Sequence, residues 1–351
     1  MNIDLPRVCG LFRESRKAGA SVALATVIRT QGSTYRKAGA RILIDPKGGS
    51  SGILSGGCLE ADLRERAAGV LASGEPARVI YDARASDDPV WGLGLGCEGA
   101  MEIWLQEARP EGDYEPLTYF LRCWDEERNG AVATVVGGDV LPGELGQHYF
   151  AGVADERPLA AKLRALHTDG PSLQNVDLNG RTLEVFAAPV DLPLALLLCG
   201  AGPDAIPIAQ LAMSLGWRVT VYDHREAYAV PDVFPESTRV VLGRPDELAE
   251  RLDLSRFDAA VIMSHHLPSD VEYLKRLARP QPGYIGALGP VARRERLLLE
   301  AGHETSSAIE PHLHAPVGLD IGANSPESIA LSIIAEIHSL QPRACRTKPR
   351  G

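Results

Sequence analysis

Hydrophobic and polar positions follow two different periods in the N-terminal third of the chain. Apolar residues at helical spacing predict helices over Pro6–Lys17 and Leu59–Ala72. Runs of β-branched and small apolar residues bounded by glycine predict short strands. These strands are Val22–Arg29, Arg41–Ile44, Ile53–Ser55, Arg78–Tyr81 and Ala100–Leu105. This mixture predicts a small α+β module.

The stretch from Glu107 to Leu192 has a weaker pattern. It contains two candidate strands, Ala131–Val136 and Thr182–Phe186, and a candidate helix at Pro158–His167. We interpret this less regular stretch as a continuation of the first domain, and we expect a hinge at Pro189–Pro193.

From Leu194 onward, short apolar runs alternate with amphipathic stretches, which predicts a parallel sheet with helices on both faces. The predicted strands are Leu194–Cys199, Val219–Tyr222, Arg239–Leu242, Ala259–Met263 and Tyr284–Ala287. The predicted helices are Ala205–Leu215, Pro245–Arg251, Ser269–Ala278, Val291–Glu300 and Pro326–Ser339.

The expected fold class is therefore α/β, with an N-terminal α+β domain followed by a C-terminal Rossmann-like doubly wound parallel sheet. We expect the first domain to span 1–190, with a core at 1–108, and the second to span 191–340. The basic tail, 341–351, is expected to be disordered.

Composition narrows the class of protein. The 351 residues carry a formal net charge of −10, which argues against nucleic-acid binding. No apolar run is long enough to cross a membrane, and residues 1–20 lack the apolar segment of a signal peptide. The cysteines have no paired spacing, which favours free thiols in a reducing compartment. We therefore expect a cytoplasmic protein without membrane or nucleic-acid partners.

A glycine-rich loop follows the first strand of the predicted parallel sheet. Gly200, Gly202 and Ala205 fit the pattern G-x-G-x-x-A and open a helix, whose first amides can bind a phosphate. Asp223 ends the next strand, where an acid would hydrogen-bond a ribose hydroxyl. The pattern indicates a site for NAD(P) or another nucleotide, although related sheets also keep such glycines for packing alone.

Two cysteines lie in glycine-rich segments of the N-terminal domain. Cys58 follows Gly56 and Gly57 at a strand-to-helix junction, where a helix N-terminus lowers a thiol pKa and glycine amides can receive an oxyanion. A small apolar residue filling a tight corner is an equally good interpretation of Cys58.

Cys97 follows Gly96 in a run with glycine at every second position. The alternative to a function here is a flexible loop with an incidental thiol. We favour a function, because ordering so permissive a loop costs free energy unless a ligand approaches it. The neighbouring Glu98 counts against easy thiolate formation, because a like charge raises the thiol pKa.

Three positively charged side chains lie near a turn that precedes both cysteine segments in sequence. Arg36, Lys37 and Arg41 surround the turn at Gly32 and Ser33. They are candidates for binding a phosphate or another anion, while a solvated strand edge is the alternative for each of them alone.

Further polar candidates follow strands of the parallel sheet. His265 and His266 come after its fourth predicted strand, at the carboxyl edge where such sheets bind ligands. His314 and Asp320 lie in a later loop that is expected at the same edge.

Together these segments resemble the XdhC/CoxI family, the accessory and maturation factors of xanthine dehydrogenase and carbon monoxide dehydrogenase. The resemblance covers both ends of the chain in the family's order, while 107–192 carries no matching motif. The matching segments are 32–41 (GSTYRKAGAR), 55–60 (SGGCLE), 94–97 (GLGC), the loop at Gly200, Ser264 with His265, 286–289 (GALG) and 314–323 (HAPVGLDIGA).

The resemblance implies a protein that binds molybdenum cofactor and helps its terminal sulfuration with a cysteine desulfurase partner. It implies delivery of the cofactor to a molybdenum hydroxylase of the xanthine dehydrogenase type, by a chaperone more than an enzyme, and a homodimer. Cys97 and Cys58 are by resemblance the expected cofactor contacts, with Cys97 first and as the contact to molybdenum. Glycine loops, cations and a thiolate suit the phosphate, dithiolene and metal of a pyranopterin.

Two alternatives come from other classes of protein. Gly200, Gly202 and Asp223 favour an NAD(P)-dependent oxidoreductase that uses the Rossmann-like domain, although no acid–base constellation for hydride transfer is evident. A regulatory or scaffold protein that senses a nucleotide without chemistry is the third interpretation.

Overall fold

The structure, a computed structural model, describes residues 4–55, 57, 59–82, 84, 99–163, 170–279 and 281–340. The chain divides into two units, Met1–Leu192 and Pro193–Gly351. Each unit has hydrophobic core clusters of its own.

The first unit begins with a five-stranded antiparallel sheet in the order β3-β2-β1-β5-β4. Its strands are β1 (Val22–Gly32), β2 (Arg41–Ile44), β3 (Ser50–Ser51), β4 (Ala77–Asp82) and β5 (Gly99–Ala108). The helices α1 (Leu5–Lys17) and α2 (Glu60–Ser73) belong to two separate cores, because successive side chains of β1 point to opposite faces. Leu24 packs in the core of α1, and Ala23 and Ala25 pack in the core of α2.

A second antiparallel sheet completes the first unit, in the order β7-β6-β9-β8. Its strands are β6 (Gly130–Gly138), β7 (His148–Phe150), β8 (Ser172–Leu178) and β9 (Arg181–Val190), with helices α3 (Leu117–Asp125) and α4 (Pro158–Leu163). The two strands predicted here are the central pair, β6 and β9. The sequence pattern does not predict the edge strands β7 and β8, because β7 is short and β8 carries mostly polar residues that are only partly buried.

The second unit is a six-stranded parallel sheet in the order β12-β11-β10-β13-β14-β15. Its strands are β10 (Ala195–Cys199), β11 (Arg218–Asp223), β12 (Arg239–Leu242), β13 (Ala259–Ile262), β14 (Tyr284–Ala287) and β15 (Leu313–His314). Its helices are α5 (Ala205–Ser214), α6 (Leu248–Arg251), α7 (Leu267–Leu277), α8 (Val291–Ala301), α9 (His303–Ile309) and α10 (Pro326–Leu340).

Helices cover both faces of this parallel sheet. α5 and α10 pack in one core cluster, and α6 to α9 pack in the other. The strand order reverses between β10 and β13, which places a crevice above the carboxyl end of β10. The predicted fold class is confirmed: an α+β unit precedes a doubly wound, Rossmann-like parallel sheet. Within the described ranges, no helix is long and apolar enough to span a membrane.

Two predicted elements need correction. Ile53–Ser55 is not a strand: β3 pairs with β2 at Ser50–Ser51, and Gly52 at φ +114° then turns the chain away. The segment at Pro245–Arg251 starts with a 3₁₀ turn before α6. The predicted helix Pro158–His167 is described over Pro158–Leu163, and its remaining residues lie outside the described residues, as does the tail from 341.

Candidate functional site

One end of the N-terminal sheet collects the boundaries of three strands. β1 ends at Gly32, directly opposite Gly99, where β5 begins. β4 ends at Asp82 opposite Ala100. We call this the Gly32 end of the sheet.

Gly99 requires the absence of a side chain. A Cβ there would lie 2.3 Å from the carbonyl oxygen of Ser33 and 2.8 Å from that of Gln31. Real Cβ atoms do not approach oxygen atoms so closely, so only glycine fits without movement of the backbone. Gly99, two residues after Cys97 in sequence, therefore lies tightly against the start of the 32–41 motif.

Arg36 ties the 32–41 motif to the next motif along the chain. Its Nη1 donates a hydrogen bond to the carbonyl oxygen of Ile53 at 2.9 Å, two residues before Ser55. Its Nη2 pairs with Asp4 Oδ2 at 2.5 Å. The Thr34 hydroxyl donates to the Arg36 carbonyl at 2.8 Å and closes the turn.

Hydrogen bonds between Ser55 and Glu60 join the two ends of the SGGCLE segment. The Ser55 amide and hydroxyl donate to the two carboxylate oxygens of Glu60, at 2.9 and 2.5 Å. The Ser55 hydroxyl also accepts from the amides of Gly57 and Leu59, at 3.2 and 3.1 Å. Burial opposes ionisation of Glu60, but the hydrogen bonds from Ser55 outweigh it and lower the pKa of this carboxyl.

The N-terminus of α2 also lies at the Gly32 end. Tyr81, near the end of β4, donates its hydroxyl hydrogen to Asp62 Oδ2 in the first turn of α2, at 2.6 Å. Arg66 donates to the same oxygen at 2.7 Å. The structure thus brings together the start of the 32–41 motif, the N-terminus of α2 and Gly99.

The cysteines predicted to be cofactor contacts, Cys58 and Cys97, lie outside the described residues, as do Gly56 and Gly96. Gly57 is exposed at φ +112°, and no atom of the described residues lies within 4 Å of its Cβ position. Its conformation favours glycine, and its surroundings leave room for a ligand.

The described cysteines, Cys9, Cys123 and Cys199, are buried and free. Burial raises the pKa of Cys9 to about 12 and also raises the pKa of Cys123 and Cys199. These thiols are therefore neutral packing residues. Among the described residues, no group of three or more His, Cys, Asp and Glu side chains could hold a metal ion.

The three cations of the first motif have different environments. Arg41 is 3 % exposed, and its guanidinium carbon lies 4.6 Å from the centre of the Phe120 ring. Arg36 is engaged by Asp4 and Ile53. Lys37 is exposed, with its Nζ 3.4 Å from the Thr34 hydroxyl. The arginines are structural in this conformation, and Lys37 is the cation of the motif that faces solvent.

The C-terminal glycine loop approaches a neighbouring strand closely. Gly200 has φ +132°, and a Cβ there would lie 2.6 Å from the carbonyl carbon and oxygen of Met263. Gly202 has no atom within 4 Å of a Cβ position. Gly200 is therefore required by packing, whereas Gly202 leaves open space at the start of α5.

Asp223 ends β11 and is completely buried. Its carboxylate accepts hydrogen bonds from the Ala201 amide and from Arg225. Burial opposes ionisation of Asp223, but the hydrogen bonds from Arg225 and Ala201 lower its pKa. Asp223 thus joins the glycine loop to the end of β11, and its contact to a ribose hydroxyl stays a prediction.

His265 lies at the mouth of the crevice in a left-handed conformation, φ +59°. Its Nε2 is 3.0 Å from Asp204 Oδ2, at the start of α5. Below it, the buried Asp270 accepts from the Ser264 hydroxyl at 2.5 Å and from Arg293 at 2.6 Å. Strain of this kind at a non-glycine residue is common where a ligand binds.

Asp320 is exposed in the 314–323 loop. Glu336 of α10 supports this loop, because it accepts from the Gly318 amide at 2.8 Å and from the Tyr284 hydroxyl at 2.6 Å. The rings of Tyr284 and His314 stack with centroids 4.4 Å apart. His314 is therefore part of the support, while Asp320 faces solvent.

Sequence reasoning missed most of the supporting residues. Asp4, Ser55, Glu60, Asp62 and Tyr81 all hold the Gly32 end together. Ser55 and Glu60 frame the SGGCLE segment, so their spacing around the two glycines was the available signal. Asp4 and Tyr81 carried none, because their partners are distant in sequence.

Comparison with known proteins gives two family models that match this chain. The model of the XdhC and CoxI family matches residues 15–82, and that of the XdhC Rossmann domain matches residues 196–337. The first match contains the 32–41 motif and the SGGCLE segment, and the second contains the crevice of the parallel sheet.

Two curated relatives extend over most of the chain. A probable xanthine dehydrogenase subunit from Bacillus subtilis (strain 168) is 32 % identical over 328 residues, which is 91 % of this chain and 93 % of the relative. The molybdenum cofactor insertion chaperone PaoD of Escherichia coli (strain K12) is 25 % identical over 330 residues, which is 93 % of this chain and 86 % of PaoD.

A solved structure agrees over nearly the whole length. The crystal structure of a protein described as a xanthine dehydrogenase from Bacillus halodurans superposes with a TM-score of 0.76 at 28 % identity. It covers 97 % of this chain and 98 % of that chain. With both family models matched and a relative above 30 % identity along most of its length, this chain belongs to the XdhC and CoxI family.

Proposed function

We propose that this chain binds molybdenum cofactor as cargo, assists its terminal sulfuration with a cysteine desulfurase and delivers it to a hydroxylase of the xanthine dehydrogenase type. The observation that carries the proposal is that the start of the 32–41 motif, the N-terminus of α2 after the SGGCLE segment, and Gly99, two residues after Cys97, lie at the Gly32 end of the N-terminal sheet. A relative along most of the chain, PaoD, is a molybdenum cofactor insertion chaperone.

The chemistry of the cargo matches the groups that converge there. A dithiolene-bound molybdenum is a soft centre, for which a thiolate is a suitable ligand. Cys97 and Cys58 are adjacent in sequence to the glycines of two of the converging segments. Amides that glycine leaves accessible can bind oxygen atoms of the cargo.

The phosphate of the cargo needs a donor that the protein does not already use. Arg36 and Arg41 are engaged inside the first unit, whereas Lys37 is exposed beside Thr34. Lys37 is therefore the cation of this motif that we expect to contact the phosphate, while Arg36 positions the loop.

Binding is tested by incubating the full chain with molybdenum cofactor, followed by gel filtration and measurement of molybdenum and pterin. We expect near-stoichiometric retention by the wild type and loss of retention by Cys97→Ala, with Cys58→Ala also tested. Cys199→Ala removes a buried thiol of the other unit and is the matched control, which should retain cofactor. Unchanged retention by Cys97→Ala would sink the assignment of that thiol, and no retention by the wild type would sink the proposal.

Sulfuration and delivery are tested by adding the loaded chain to a cofactor-free hydroxylase of the xanthine dehydrogenase type. We expect hydroxylase activity only when a cysteine desulfurase and L-cysteine were present during loading. Activity that does not depend on the desulfurase would remove sulfuration from the proposal while leaving delivery intact. Light scattering of the same samples tests the expected homodimer.

A second candidate function is an NAD(P)-dependent oxidoreductase. The strained His265, with Asp204 on its Nε2 at the mouth of the crevice, is the observation that favours it. Turnover of reduced nicotinamide by the purified chain, with His265→Ala as the comparison, tests this candidate. Absence of turnover with a range of acceptors would reject it.

A further inference from the structure

The carboxylate at the end of β11 already has its full set of hydrogen bonds. Asp223 Oδ2 accepts from the Ala201 amide and from Arg225 Nη2, both at 2.7 Å. Its Oδ1 accepts from the amide and Nε of Arg225, at 2.8 and 3.0 Å. A carboxylate offers about four acceptor positions, so these four donors occupy it. A ribose hydroxyl would find no free acceptor on this side chain.

Arg225 is held in one orientation by the same contacts. The two-point pairing with Asp223 fixes the plane of the guanidinium, and the guanidinium carbon lies 4.2 Å from the centre of the Tyr228 ring. Tyr228 is 41 % exposed. Among the described residues, Nη1 of Arg225 has no hydrogen-bond partner. The end of β11 therefore presents a pre-oriented cation beside an exposed aromatic ring.

The Arg225 guanidinium lies where the ribose of a nucleotide would bind in a sheet of this type. Ala201 belongs to the glycine loop after β10, and its amide shares Asp223 with Arg225. The guanidinium is therefore beside the loop, at the carboxyl end of β11, which is the neighbour of β10 on the side away from β13. In sheets of this type an acid at the end of the second strand receives a ribose hydroxyl, and a nearby arginine accommodates a ribose phosphate instead.

We propose that the crevice of the C-terminal sheet binds a nucleotide whose adenosine ribose carries a phosphate, and that Arg225 selects this phosphate. The Asp223 carboxylate has no free acceptor for the hydroxyl of an unphosphorylated ribose. A ribose phosphate, in contrast, accepts a charge-assisted hydrogen bond from Nη1 of Arg225. This inference goes beyond the function proposed above and does not depend on it.

Neighbouring charges limit the size of the preference. Asp223 offsets part of the Arg225 charge, and the exposed Glu226 follows directly in the chain. His224 has its Nδ1 3.5 Å from Asp223 Oδ1. We therefore expect a preference of about tenfold for the phosphorylated ribose, the size of one charge-assisted hydrogen bond.

The test is isothermal titration of the full chain with AMP, adenosine 2′,5′-bisphosphate and adenosine 3′,5′-bisphosphate, together with NAD⁺ and NADP⁺. At least one bisphosphate should bind about tenfold more tightly than AMP. A preference for the 2′ isomer and NADP⁺ identifies an NADP-type ligand, and a preference for the 3′ isomer identifies a ligand of the coenzyme A type. Equal binding of all three adenosine nucleotides, or no binding by any, overturns the proposal.

Variants assign the preference to Arg225. Arg225→Gln should lose the preference through weaker binding of the bisphosphate, with AMP binding unchanged, which also reports that the crevice is folded. Arg225→Lys keeps the charge without the fork and should retain part of the preference. Arg239→Gln is the matched control, because Arg239 is exposed at the amino end of β12, away from the carboxyl ends of the strands where Arg225 lies. A full preference in Arg225→Gln overturns the role of Arg225.

Discussion

Ser55 uses the whole hydrogen-bonding capacity of its hydroxyl at the start of α2. The hydroxyl donates to Glu60 and accepts from the amides of Gly57 and Leu59. The side chain is buried, so the amides would lose this acceptor in a place with little access for water. One hydroxyl therefore keeps the SGGCLE segment in a single conformation.

We expect Ser55→Ala to lower the free energy of unfolding by about 1–2 kcal/mol, because it leaves two amides and a carboxylate without their partner. Urea unfolding measures this difference. Ser73→Ala, at the other end of α2, removes an exposed hydroxyl that accepts one amide, from Glu75, and should cost clearly less. Equal losses of unfolding free energy in the two variants would show that the additional hydrogen bonds of the Ser55 hydroxyl add nothing to stability.

Glu60 makes part of this stability depend on pH. Its carboxyl has a lower pKa in the folded chain than the usual 4.5, because Ser55 stabilises the carboxylate. The stabilisation is therefore complete above pH 4.5 and disappears as the pH falls through the folded-state value. We expect the loss of stability in Glu60→Gln to be largest at neutral pH and to shrink in acid. Unfolding at stepped pH checks this, and a penalty that grows in acid would contradict it.

Two glycines of the first unit differ in the space that their strand or helix leaves for a side chain. Gly99 begins β5 against the backbone of β1, where a Cβ would meet the Ser33 oxygen at 2.3 Å. Gly69 is exposed within α2, with no atom within 4 Å of a Cβ position. The same substitution should therefore have opposite effects in the strand and in the helix.

We expect Gly99→Ala to lower the free energy of unfolding by about 1–3 kcal/mol, because the β1–β5 pair must open to admit the methyl group. Gly69→Ala should raise it by about 0.5–1 kcal/mol, because alanine loses less backbone entropy in a helix. Denaturant unfolding measures the change in unfolding free energy of both variants. Stabilisation by Gly99→Ala would mean that the two strands do not approach each other as described.

At the scale of the whole molecule, the second unit contains all the strands of its own sheet. β10 is central in that sheet, and Leu196, Leu197 and Leu198 are completely buried. Both core clusters of this unit are built from residues after Leu192. Nothing in its sheet is borrowed from the first unit.

We therefore expect the fragment 193–351 to fold alone and to unfold in one cooperative transition, measured by circular dichroism and calorimetry. A fragment that starts at 216 lacks β10 and α5 and should not fold, because its sheet loses the central strand. A gradual transition of the longer fragment would mean that the second unit needs the first one.

Local patterns predicted most of the second unit. Parallel strands buried on both faces are continuous apolar runs, and the buried strand Tyr284–Ala287 has the bounds that the sequence predicted. The partly exposed edge strand Arg239–Leu242 also has its predicted bounds. Local patterns do not predict the polar edge strand β8 or the two-residue strands β3 and β15, because their pairing partners and not their own residues make them strands.

The sequence by itself determined the fold class, the family and the glycine-rich segments, because periodicity, turn residues and motifs are local properties of a chain. Only the tertiary structure decided what the charged side chains do. Arg36 meets Asp4, 32 residues away, and Arg41 is buried against Phe120. Asp223 uses its carboxylate to bind Arg225 and Ala201. A long charged side chain bonds to whatever the fold brings near it. Arg225 is only two residues from Asp223, but Asp4, Phe120 and Ala201 lie at sequence distances from their partners that no local pattern encodes.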